Sequence, residues 1–227
     1  MRIATVVFPG VTAIDFIGPL NAWMMLPDFE LQVVAGAVGP VPTDCGMDVL
    51  ATHDFDTCWQ DPDVLLMPGA GRGLFEFLQD DASLDGIARL GGNAKWVTSV
   101  CTGSLALGAA GLLKGYRAAC YWYARDALAH FGATPDEGRV VIDRNRASGG
   151  GMTSGIDFAI HMAGEWFGPD AGRLIELSLE YAPQPPFGVG RPELADPATL
   201  ATARAILETQ MPLAMALQAA RRRGFAD

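Results

Sequence analysis

The chain has 227 residues, 50% of them apolar and 19% charged, enough to bury a large core and inconsistent with a disordered chain. Sixteen basic against 26 acidic side chains leave a net charge of −10, which repels phosphate backbones and anionic lipid and argues against nucleic acid or a membrane surface as partner. The four cysteines, at positions 45, 58, 101 and 120 with no Cys-x-x-Cys spacing, are too sparse for a disulfide scaffold and suit a reducing cytoplasm.

Residues 2–8 form a short apolar run closed by Pro9-Gly10, too short for a signal-peptide core, so no export is expected. Ile14 to Leu26 has helical spacing with Gly18-Pro19 inside it, and Phe29 to Ala37 reads as a strand. Val41 to Cys45 and Met47 to His53, turning about Gly46, read as a small hairpin appended to the sheet. Asp63 to Met67 is a further strand, leading into the loop Pro68-Gly69-Ala70-Gly71-Arg72-Gly73, and Ala82 to Leu90 is helical. This loop lacks the third glycine of a dinucleotide fingerprint, and no phosphate-loop motif occurs, so no nucleotide cofactor is expected; its N–H groups suggest an anion nest.

Eighteen uncharged residues, Trp96 to Leu113, could by length span a bilayer. Four Ser/Thr and three Gly interrupt them, and a β-branched first half gives way to an Ala/Leu-rich second, so a buried strand to Val100 runs into a buried helix from Thr102. A helix is expected from Tyr123 to Phe131, a strand from Arg139 to Ile142 with a turn at Asp143-Arg144-Asn145, and helices over Thr153–Phe167 and Asp170–Tyr181. Pro183 to Pro197, with five prolines, reads as a loop or arm, and Ala198 to Gly224 as one amphipathic helix. Alternating strands and helices give an α/β fold with a mainly parallel sheet covered on both faces. The domain reading is a catalytic unit over 1–197 with the C-terminal helix, 198–227, packed on it.

Ser99-Val100-Cys101-Thr102-Gly103 has the small-x-nucleophile-x-small spacing of a nucleophile elbow, with cysteine in place of serine. A sharp strand-to-helix turn strains the central residue and excludes bulk at its flanks, and a sulfur at a helix start is expected to favour thiolate. A lone cysteine is ordinarily a small buried hydrophobe, the reading kept for Cys45, Cys58 and Cys120. At Cys101, elbow spacing, strand end and helix start coincide, which makes it the candidate nucleophile.

No histidine is well placed as its base. His53 ends the hairpin, His130 offsets a helix dipole, His161 sits within a helix, and each reads as structural; no spacing suggests a metal. Asp15, just beyond the first strand, emerges at the same end of the sheet as Cys101 and the Pro68 to Gly73 loop. Local sequence gives it two roles, helix N-cap or acid/base group. Asp157 reads as a structural hydrogen-bonding group. Thr102 either caps the helix or donates its hydroxyl to a neighbour. Trp23, Trp122 and Phe187 are candidates for pocket walls, each with an ordinary core reading beside it. Arg221-Arg222-Arg223 reads as dipole compensation and solvated charge.

Several segments together resemble the ThiJ/PfpI superfamily, and within it most closely the isocyanide hydratases. They are Phe8-Pro9-Gly10 with Ile14-Asp15-Phe16-Ile17-Gly18-Pro19, Met67-Pro68-Gly69, Val97 to Ser104, Ala109 to Leu113, Gly149 to Phe158 and Leu179 to Phe187. The resemblance implies a flavodoxin-like three-layer sandwich, a homodimer and a small-molecule substrate. It implies Cys101 as nucleophile, Asp15 as its acidic partner, Thr102 beside them, and Gly69, Ala70, Gly150, Met152 and Trp122 as substrate-binding or oxyanion residues. Tyr121 stands where relatives often carry histidine, which counts against peptidase or deglycase chemistry needing a Cys-His pair. Ala70 replaces the second glycine of the family's Pro-Gly-Gly. The activity implied is addition of water to an isocyanide to give an N-substituted formamide. The alternatives are another hydrolase or glyoxalase-like activity of the superfamily, and a non-catalytic sensing domain of the kind fused to AraC-type regulators.

Overall fold

A computed structural model describes residues 1–225. Arg2–Val6 forms β1, an apolar segment buried from Ile3 onward, and Ala13–Trp23 forms α1. Pro19 lies inside α1, and Gly18 and Gly155 are the points where α1 and a later helix approach each other. β2 spans Glu30–Ala35, and β3 (Gly39–Pro42) pairs antiparallel with β4 (Asp48–Ala51). The expected hairpin is thus present, as a two-stranded sheet of its own. His53–Asp54 does not end it but forms β5, an edge strand parallel to β2.

β6 (Val64–Met67) is buried throughout, as suits an inner strand of a parallel sheet. It leads through the Gly-rich loop into α2 (Arg72–Phe77), a short helix that the glycines of the loop conceal in the sequence and that buries Leu74, Phe75 and Phe77. α3 (Asp81–Asn93) starts from an Asp80 side-chain cap on Ser83. β7 (Trp96–Val100) and α4 (Gly103–Ala109) divide the long uncharged stretch as expected, and no described helix is long and apolar enough to cross a membrane. α4 stops short of Leu113 because the chain turns at Gly111, where φ is +81°.

β8 (Arg117–Ala119) and β9 (Thr134–Asp136) pair with each other around a 3-10 helix, Arg125–Phe131, closed by left-handed Gly132. β10 (Val140–Asp143) turns through Arg144 into β11 (Arg146–Gly149), a strand the sequence hides because it is short and rich in small residues. α5 (Ser154–Phe167) and α6 (Pro169–Ser178) follow.

The single C-terminal helix expected from the sequence is two, α7 (Pro197–Gln210) and α8 (Leu213–Arg222). Pro212 has no N–H to continue α7 and restricts Met211 before it. α8 packs on α2, α4 and the 3-10 helix. Arg221 and Arg222 lie in the last turn of α8, as dipole compensation expects, and Arg221 is exposed; Arg222 and Arg223 are more than solvated charge, since Arg222 bonds Asp81 and the Leu78 carbonyl and Arg223 bonds Asp85 at 2.7 Å. They clasp α8 to the start of α3. Positions 226 and 227 of the expected C-terminal unit lie outside the described residues.

The main sheet has the order β10-β11-β7-β6-β1-β2-β5, parallel except for β10 against β11. α1, α5 and α6 pack on one another, as do α2, α3, α4 and α8, giving a flavodoxin-like sandwich of three layers. The chain leaves β1 for β2 on one side and later returns to β6 on the other, so the loops after β1, β6 and β7 diverge around one crevice at their carboxyl ends.

Candidate functional site

Cys101 joins β7 to α4 with φ of +60°, a left-handed conformation that a non-glycine residue holds only when its surroundings enforce it. Its N–H is tied to the Gly149 carbonyl at 2.9 Å. The glycine that follows the elbow and the glycine of the facing loop are both sterically required. A Cβ on Gly103 would lie 2.2 Å from the Met67 carbonyl oxygen, and one on Gly69 would lie 2.6 Å from the Thr102 nitrogen and 3.0 Å from the Cys101 Cβ.

Asp15 is fully buried beside this elbow. It is not the N-cap of α1, a position held by Thr12, but lies inside the first turn. Its Oδ2 accepts the Gly69 N–H at 2.9 Å, while Oδ1 has no hydrogen-bond partner of good geometry among the described residues. The Cys101 thiol is the titratable group beside it. Burial pushes the Asp15 carboxyl up to about 7, against the opposing pull of the Gly69 N–H and the thiol. Burial likewise pushes the Cys101 thiol well above the usual thiol range, and the Asp15 charge adds to this. The expectation of a thiolate stabilised by the helix start is therefore corrected. Cys101 is only 3% exposed, and the Thr102 N–H offsets only part of the cost of burying a charge. Two such acids in contact titrate as a pair.

Thr102 occupies the N-cap position of α4 without a side-chain cap bond. Its hydroxyl accepts the Ala70 N–H at 2.9 Å and donates to the Ala70 carbonyl at 2.7 Å, so it clips the β6 loop to the elbow instead of facing the thiol. The Thr102 hydroxyl thus donates to a neighbour, one of its two expected roles. The Gly69 and Ala70 N–H groups are engaged inside the protein, with Asp15 and Thr102 respectively. Gly150 donates its N–H to the Arg139 carbonyl at 2.9 Å.

Gly150, Met152 and Trp122 line a cavity of about 830 Å³, together with Cys120 and Tyr121. Cys101 sits one step behind that wall: Gly149, to which it is bonded, precedes Gly150, and Tyr121 feels its charge. Trp23 is instead a core residue, bonded through Nε1 to the Ala159 carbonyl, and Phe187 is 84% exposed outside the cavity lining.

The sequence did not single out Arg139 or Arg204, which also line the cavity. Arg139 pairs with Asp157 at 2.6 Å, and Tyr181 donates to the same carboxylate oxygen, so Asp157 ties α5 to β10 and the end of α6. Arg204 of α7 lies 5.6 Å from the Trp122 ring centroid. Nothing local marks either arginine, since both reach the cavity only through tertiary packing. The histidines stay outside the site: His53 contacts Gln32 and Thr52, His161 contacts the Asp157 carbonyl, and His130 ends the 3-10 helix. Among the described residues no cluster of His, Cys, Asp and Glu forms a metal site.

The raised Asp15 value has a consequence for stability. Its carboxyl binds a proton up to about pH 7 when folded, against an ordinary value of 3.8, so the folded state holds more protons across that window and stability falls as pH rises through it. Relative to Asp15→Asn, the wild type is expected to lose up to roughly 4 kcal/mol of unfolding free energy between pH 4 and pH 8, read by urea denaturation. Parallel curves for the two proteins would contradict the raised value.

Residues 1–165 match the DJ-1/PfpI family. The chain is 43% identical over 206 residues to a Pseudomonas putida protein named isonitrile hydratase, covering 90% of this chain and 89% of that one. A crystal structure of a ThiJ/PfpI family protein from Pseudomonas syringae superposes with a TM-score of 0.92 at 39% identity, over 96% of this chain and 90% of that one. An AraC family transcriptional regulator from Pseudomonas putida shares the fold at 17% identity and a TM-score of 0.68, over 78% of this chain and 98% of that one. With its elbow cysteine, buried aspartate and matching length, the chain belongs to the DJ-1/PfpI family.

Proposed function

We propose that the protein is an isocyanide hydratase, with Cys101 as nucleophile and Asp15 as general acid and base. The observation that carries this is the burial of an aspartyl carboxyl against a thiol with no histidine at hand, alongside 43% identity to an isonitrile hydratase. The terminal carbon of an isocyanide must accept both a nucleophile and a proton, and the pair supplies both.

In its active form the pair carries one proton. The thiol proton passes to Asp15, the sulfur bonds to the isocyanide carbon, and Asp15 delivers the proton to that same carbon, giving a thioimidate. Asp15, again a carboxylate, takes a proton from water as its oxygen adds to the thioimidate carbon, and passes that proton to nitrogen. The carbon–sulfur bond then breaks to release an N-substituted formamide, and the hydroxyl proton returns to the pair. Atoms balance as isocyanide plus water to formamide.

Gly69 holds Asp15 through its N–H, Thr102 holds the Gly69 loop, and Gly150, Met152 and Trp122 shape the cavity that admits the substituent. A Cys-His mechanism lacks its base here, because Tyr121 stands beside Cys101 and His53 and His161 are bonded elsewhere. The working unit in this reading is one domain with the C-terminal helices packed on it, in a reducing cytoplasm. It is a homodimer, for which the exposed Ile14 and Ile17 of α1, with Met24 at its C-cap, offer an apolar face; a solution mass equal to a single chain would contradict the dimer.

Incubation with p-nitrophenyl isocyanide is expected to yield the formamide. Cys101→Ala should abolish turnover, and Asp15→Asn should lower kcat by about 100-fold or more. The wild-type kcat/KM should rise through about pH 7, as the pair sheds its second proton, and hold until well into the alkaline range. Full turnover by Cys101→Ala would rule out the nucleophile, and formamide production undetectable in the wild type would rule out the activity.

A further inference from the structure

The β3–β4 hairpin reaches back to the carboxyl end of the sheet and grips the loop that delivers Asp15. Gly10 donates its N–H to the Pro42 carbonyl at 2.8 Å, Asp44 donates its own to the Val11 carbonyl at 3.0 Å, and Val11 bridges Thr43. The hairpin turn is itself fixed by Thr43, whose N–H and hydroxyl both donate to the Met47 carbonyl, at 2.8 and 2.6 Å. From this turn the Asp44 side chain extends to α1, and its Oδ1 accepts the Ala13 N–H at 3.1 Å.

Ala13 is the first residue of α1, and its N–H is one of the donors that a helix start leaves without an intrahelical partner. Thr12, at the N-cap, makes no side-chain cap bond. The cap is supplied from another part of the chain, two residues before the buried carboxyl. A bare helix N-terminus favours the charged form of a carboxylate in its first turn, and a second carboxylate placed there works against that form.

We propose that Asp44 is a positioning residue for Asp15: bonded to the Ala13 N–H at 3.1 Å, it pins the first turn of α1 and sets a negative charge at the helix start, two residues before the buried carboxyl. The inference rests on the reading of Asp15 as the proton-carrying partner of Cys101. The groups acting on Asp15 are few. Burial and Asp44 raise it, while the Gly69 N–H and the Cys101 thiol lower it. Cys120 lies near enough to sense the Asp15 charge. α5, packed along α1, carries Asp157, His161 and Glu165, and Asp157 is paired with Arg139 at 2.6 Å; none of the three acts on Asp15. Among the described residues, Asp44 is thus the carboxylate outside the pair that bears on it.

Two variants separate the charge from the cap. Asp44→Asn keeps an acceptor oxygen for the Ala13 N–H and removes the charge, whereas Asp44→Ala removes both. The titration of Asp15 is read by carbon NMR of carboxyl-labelled aspartate, with Asp15→Asn identifying its signal; no substrate is needed. Asp44→Asn is expected to move the Asp15 midpoint down by roughly 0.2–0.7 pH unit with the melting temperature unchanged. Asp44→Ala should move it at least as far and also lower the melting temperature. Molar salt should shift the wild-type midpoint the same way, because Asp44 is exposed and its field is screened. In the hydration assay the acid limb of kcat/KM should follow the midpoint in Asp44→Asn. A midpoint in Asp44→Asn equal to the wild type overturns the proposal, as does a shift confined to Asp44→Ala. A protein that shows the NMR shift but makes no formamide would fail the hydratase reading alone.

Discussion

Burying the Asp15 carboxyl against the Cys101 thiol is the constraint around which the rest of the structure is arranged. Each acid resists ionisation because its charge would be cut off from water; the Asp15 charge makes the thiol harder still to ionise, while the thiol's hydrogen bond recovers part of the cost for the carboxylate. Such a pair persists only if the backbone leaves it no alternative. The left-handed Cys101 holds the sulfur in place, the Gly69 N–H fixes one carboxylate oxygen, and the Thr102–Ala70 clip keeps Gly69 where it is needed. The Gly69 and Ala70 N–H groups thus brace the pair.

The parallel sheet explains how residues 15, 69 and 101 come together. Three strands that neighbour one another, β1, β6 and β7, end at the same level, and the chain continues from each into a loop or helix start. The hairpin then ties the β1 loop from the outside, while α8 is drawn onto α2 and α4 by apolar packing and by Arg222 and Arg223. The elbow is held from several directions by elements that never touch the reacting atoms.

Much of this was legible in the sequence, because the signals are local. The strand-to-helix change at Cys101, the glycine after β6 and the carboxylate after β1 are each readable in a few residues, and the alternation of elements placed them at one sheet end. What stayed hidden depends on burial or on distant contacts. A helix start next to a cysteine suggests a thiolate, and only the enclosure of Cys101 reverses that direction. The hydrogen-bond partners of Gly69 and Ala70, the break at Pro212 that separates α7 from α8, and the cavity roles of Arg139 and Arg204 arise from tertiary packing. Short elements with small residues, such as β8 and β11, carry too little hydrophobic pattern to be read.

The central claim is that Cys101 bonds to the isocyanide carbon and Asp15 protonates that carbon. It is tested most directly by quenching turnover in D2O and weighing the intact protein and its peptides. The account predicts an adduct heavier by one isocyanide, carried on the peptide containing Cys101, with one deuterium on the former terminal carbon. Turnover with the label on Cys120, or an adduct whose carbon has taken up no deuterium, would contradict it.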